Sequence, residues 1–160
     1  MAGAGPFVEE EVALSSVEAS DILVAHSAVV ESDVHALRFE DGEMKVRTRI
    51  LIAMDRMEFK ETDGDDRAIL EIHSHGKVAF LDEKGTLLFD TQWQGKPDET
   101  RVVLCGDRVE SFEARLRYLG AGAGPYQGRT ISGLIRCTMA GHDLSGLEVF
   151  RIAGKGELSP

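Results

Sequence analysis

The chain reads as an all-β protein, an eight-stranded antiparallel up-and-down β-barrel with a short N-terminal helix or tail. Three observations predict this class. Apolar and polar residues alternate with period two, most clearly in 43–54, where Met44, Val46, Thr48, Ile50, Ile52 and Met54 oppose Lys45, Arg47 and Arg49. Turn signals such as Asp41-Gly42, Asp63-Gly64 and Lys84-Gly85 separate consecutive segments. No long amphipathic stretch stands between them to serve as the crossover helix of a parallel sheet. Eight strands in meander order favour a closed cylinder over a sandwich, with a lumen that side chains fill or that holds one small ligand.

The elements follow in order. Residues 1–7 read as a tail. Residues 8–19 read as a short helix, on Val8, Val12 and Val17 at loose helical spacing and on acids near its start, where the helix dipole favours them. Strands are then expected at 22–30, rich in Ile, Leu and Val, and at 34–40, 43–54 and 67–75. In 67–75, Ala68, Leu70 and Ile72 oppose Glu71, His73 and His75, and Gly76 marks a bend before 77–82. In 86–94, Leu87, Phe89, Thr91 and Trp93 share the face taken as the lumen. Strands at 100–105 and 109–118 flank Gly106-Asp107, and Phe112, Ala114, Leu116 and Tyr118 point one way. In 129–139 the inward set is Ile131, Gly133, Ile135, Cys137 and Met139, and 146–153 is the last strand. The length suits a single domain over 1–160.

Composition narrows function. Acidic residues outnumber basic ones 28 to 18, for a net charge of −10. That argues against nucleic acid, which is held by Lys and Arg, and against anionic membrane surfaces. No apolar run reaches the length of a membrane span, and the first residues lack the basic start of a secretory signal, so a cytoplasmic protein is expected. Cys105 and Cys137 form no metal or redox motif.

The stretch from Arg117 to Gly128, RYLGAGAGPYQG, is glycine-rich but lies between two strands. A phosphate loop needs a helix directly after its glycines, so a barrel-rim hairpin is the better account, with Tyr126 folded back over an opening. Gly122-x-Gly124-x-Tyr126-x-Gly128, after a strand with Phe112 and Leu116 and before one with Gly133, resembles the late hairpin of the allene oxide cyclase-like barrels. These include plant allene oxide cyclases, dirigent proteins and bacterial spirotetronate cyclases. The glycine that commonly follows in that pattern is Ile131 here. The resemblance implies a cofactor-free cyclase or isomerase that folds an apolar, polyketide-like molecule inside its lumen, often as a homo-dimer or homo-trimer. The alternative is a non-catalytic barrel that carries a hydrophobic ligand.

Candidate site residues follow from phase and chemistry. Trp93, the only tryptophan, would stack on a guest beside Phe89 and Thr91. Tyr118 would hydrogen-bond a substrate oxygen, and Tyr126 would act as a lid. His26, in the apolar run ILVAHSAVV, is a candidate acid or base, and Cys137 a lumen wall. His73 and His75 share an outer face with Glu71, so no metal site is expected.

Overall fold

The computed structural model describes residues 3–14, 27–62, 67–94, 100–105, 108–142 and 148–160. Ten strands are named in chain order: β1 (Gly5–Ala13), β2 (Ser27–Glu31), β3 (His35–Phe39), β4 (Gly42–Thr62) and β5 (Arg67–Leu81) come first. β6 (Leu87–Gln94), β7 (Thr100–Cys105), β8 (Arg108–Gly122), β9 (Thr130–His142) and β10 (Glu148–Leu158) complete the set. All pairings are antiparallel. β2 and β3 lie end to end along one side of β4, and β6 and β7 lie end to end between β5 and β8. The ten strands therefore form eight staves, and the β1–β10 pairing closes the ring. The expected up-and-down barrel is what forms.

One expectation fails at the start of the chain. Residues 5–13 are not helical; they form β1, the stave that closes the cylinder between β3 and β10. The three consecutive acids conceal the alternation, because Glu9 points inward with Phe7 while Glu10 faces out. A register shift between Glu9 and Val12 then resets the phase. Residues 15–19 of the expected helix, like His26, lie outside the described residues.

Two bulges correct the expected faces elsewhere. Between Met54 and Arg56 the register of β4 slips, so the even-numbered inward set ends and Met57 and Phe59 continue on odd positions, both exposed. A slip opposite Phe80 and Leu81 puts Leu88 inside and leaves Leu87 exposed, the reverse of the expected phase.

Large inward side chains are paired across strands with inward glycines. Phe7 faces Gly156, Glu9 faces Gly154, Trp93 faces Gly76 and Tyr118 faces Gly133. A Cβ on Gly133 would come within 2.5 Å of the Tyr118 hydroxyl, and one on Gly76 within 2.9 Å of the Trp93 ring. The glycines thus let bulky groups cross a lumen that is only wide enough for side chains.

The lower end carries the turns at 40–41, 82–86 and 123–129. There the glycine-rich segment makes a short 3-10 turn, Gly124–Tyr126, with Gly124 and Gly128 at φ 55° and 89°. The Tyr126 ring packs 5.0 Å from Phe89, and the Arg129 guanidinium sits 5.6 Å from Tyr126 on the other side. The loop is a plug, as a rim hairpin would be, and holds no helix to face an anion.

Candidate functional site

The lumen divides into two levels along its staves. At the lower level Phe80 contacts Phe89 and Tyr118 at centroid distances of 6.5 and 5.4 Å, and Phe89 meets Tyr126. Thr91 is fully buried, and its hydroxyl donates to the Val78 carbonyl at 2.6 Å, so it has no proton to offer a guest. Phe89 and Thr91 are therefore core, and Tyr126 is a stopper.

The same level holds buried charge. The His35 Nε2 N–H donates to Glu9 Oε1 at 2.7 Å, with both side chains almost fully enclosed. Thr48 Oγ1 donates to the same oxygen at 3.3 Å. On its other side, His35 Nδ1 lies 3.2 Å from both the Asp33 carbonyl and Ser32 Oγ. Ser32 Oγ accepts from the Thr48 backbone N–H at 2.9 Å. Burial pulls the His35 pKa down, but the Glu9 hydrogen bond and charge, with the Asp33 carbonyl, outweigh it and raise the value above 6.5. Glu9 Oε2 is buried and has no hydrogen-bond partner among the described residues. Burial, then the Glu9 charge, pushes the Tyr118 phenol far above its ordinary range, so it stays protonated.

The upper level is built differently. Ile52 and Met54 of β4, Ile72 and Ser74 of β5, Trp93 of β6 and Thr100 of β7 surround a cavity. Phe112, Ala114 and Leu116 of β8 complete its wall. Its free volume is about 10 Å³, close to the roughly 10–15 Å³ that one water molecule needs on that measure. Ser74, Trp93 and Thr100 all line it, and their Oγ, Nε1 and Oγ1 atoms are buried with no hydrogen-bond partner among the described residues. Leaving such a group unbonded costs about 1–3 kcal/mol each, so three in one cavity call for an explanation.

Of the expected site residues that are described, only Trp93 lines this chamber, and His26 lies outside the described residues. Tyr118 is its register neighbour but lies one step lower, against Gly133. Cys137 is buried between Ala114 and Ile152 in register, and burial pushes its thiol up to about 12, which leaves it an inert packing group. Sequence reasoning missed Ser74 and Thr100, and with them Glu9 and His35. Ser74 and His35 carried a signal, since alternation with Ile72 and Val78, and with Leu37 and Phe39, places them inside. Glu9 carried none, because nothing local separates it from Glu10.

Among the described residues the outer wall carries shallow grooves. One of about 770 Å³ runs past Val8, Arg38, Leu134 and Lys155, and another of about 710 Å³ past Leu51, His75, Lys77 and Leu119. His73 and His75 face outward, beside Glu58 at 3.3 Å and Asp55 at 3.0 Å. Among the described residues no group of His, Cys, Asp and Glu is placed to hold a metal ion. No helix among them is long and apolar enough to cross a membrane. No family model, curated protein or solved structure matches the chain.

Proposed function

We propose that the protein binds a compact, mostly apolar small molecule in the upper chamber, against Trp93. The observation that carries this is an uncharged, apolar-walled cavity inside a closed ring whose lower level is packed and plugged. The present free volume fits little more than a water. A guest therefore enters by moving a wall, and Met54, unbranched and adaptable, is the side chain suited to yield. A polyketide-sized guest would need a far wider lumen.

Trp93 is the sole tryptophan, so its emission reports on the chamber and on the outer groove past Leu51 and Leu119 that it also lines, and only the chamber's response is sensitive to substitution at Ala114. Titration with benzene or cyclopentane should give a saturable change in intensity or wavelength. The variant Ala114→Val, which fills the cavity from β8, should abolish that change at a stability cost of about 1–3 kcal/mol, with the folded state checked by circular dichroism. A response that is absent, or that stays linear up to the solubility limit, would refute binding.

A second function, cofactor-independent cyclisation or isomerisation, is favoured by one specific observation. The hydrogen-bonded Glu9–His35 pair and the neutral Tyr118 phenol lie in the lower level of the lumen, a set of donors and acceptors in a dry environment. On that account Glu9→Gln keeps guest binding and loses turnover.

A further inference from the structure

We infer that the chamber recognises a neutral carbonyl-type oxygen on its guest, a proposal that rests on the chamber being a binding site. Ser74, Trp93 and Thr100 come from three strands, β5, β6 and β7, and all three line one cavity. Their Oγ, Nε1 and Oγ1 atoms are each buried without a hydrogen-bond partner among the described residues. On one side their register neighbours cannot supply one: Met54 stands opposite Ser74, Gly76 opposite Trp93 and Ala114 opposite Thr100, and none of these side chains carries an oxygen or nitrogen. On its other side Trp93 faces Tyr118, whose hydroxyl is directed at Gly133. Two threonine hydroxyls elsewhere in the lumen are bonded, Thr91 to the Val78 carbonyl and Thr48 to Glu9.

The chemistry of the three groups defines the occupant. An indole N–H only donates, so whatever satisfies Trp93 must present a lone pair. Among the described residues no charged side chain lines the chamber. A carboxylate or ammonium would be buried there without a counter-charge, which is strongly unfavourable. A carbonyl oxygen offers two lone pairs and no net charge, and accepts from the indole together with a hydroxyl. The rest of the guest meets Ile52, Ile72, Phe112 and Leu116, and so is hydrocarbon. The competing occupant is an ordered water.

Cyclopentanone and methylenecyclopentane separate these outcomes, since they share a ring and an sp² carbon and differ in =O against =CH2. Binding is followed by Trp93 emission in the parent protein and by ligand-observed NMR in variants. After allowance for their water-to-cyclohexane partition, the ketone should bind about tenfold more tightly or better. Trp93→Phe, which keeps an aromatic ring, should bring that ratio close to one, and the bound ketone's carbonyl stretch should lose its shift to lower frequency. Ser74→Ala and Thr100→Val each lower the ratio and serve if Trp93→Phe does not fold. Equal affinity for the two probes would overturn carbonyl recognition while leaving the chamber a binding site. Binding of neither would overturn the binding site itself.

Discussion

Below Trp93, most polar side chains of the lumen are bonded, Thr91 to Val78, Thr48 to Glu9, and His35 to Glu9 and Asp33, while Glu9 Oε2 has no partner among the described residues. Above it, Ser74 and Thr100 face the cavity unbonded, with the Trp93 indole between the two levels. The same staves build both halves: β4 supplies Thr48 below and Met54 above, β5 Phe80 and Ser74, β8 Tyr118 and Phe112. The difference is not one of fold but of what each inward residue meets across the lumen. The lower half is filled to hold the cylinder together, and the upper half keeps space and hydrogen-bonding capacity that stability alone would remove.

The largest expected contrast comes from truncating an aromatic in the filled half. Phe89 is fully buried between Phe80 and Tyr126. Phe89→Ala should lower unfolding free energy by about 3–5 kcal/mol in urea titration, through lost burial and the cavity left behind. A loss below about 1 kcal/mol would mean that the lower half is not packed as described.

The buried pair gives the next effect. The folded pKa of His35 is raised, so its stabilisation is complete below the unfolded value near 6.5 and is lost as pH rises through the folded value. Stability should therefore fall with pH in the window above 6.5, by at most about 1.4 kcal/mol per pH unit for one proton. Glu9→Gln removes the charge that holds the proton and should flatten that slope. Denaturation midpoints measured at several pH values decide it; an unchanged slope in Glu9→Gln would separate His35 from Glu9.

How far the sequence discloses this contrast depends on what each feature requires. The barrel was legible because period-two alternation and turn residues are local, and β4, β8 and β9 read true over most of their length. Bulges were not legible: the slip after Met54 and the one at Leu87 arise from pairing geometry that no single strand encodes. The first stave was hidden because Glu9 is a buried acid, tolerated only through a His35 that lies 26 residues away. Trp93 was placed on the correct face, but the chamber beside it depends on the absence of partners. That absence is a property of neighbouring staves, of Met54, Gly76 and Ala114 and of a Tyr118 hydroxyl directed at Gly133, not of Ser74, Trp93 or Thr100 themselves.

The finest test applies one substitution to both halves. Thr91→Val and Thr100→Val each exchange a hydroxyl for a methyl at a buried, nearly volume-conserving site. At Thr91 the change removes a 2.6 Å hydrogen bond and leaves the Val78 carbonyl short of a donor, so it should cost about 1 kcal/mol. At Thr100 it removes a hydroxyl with no partner among the described residues, so stability should hold or rise by up to about 1 kcal/mol. A rise means a dry chamber whose hydroxyl is retained against stability, as expected of a group kept for a guest. An equal loss at both positions would mean that water already bonds Thr100, and the two halves would then differ only in which molecule completes their hydrogen bonds.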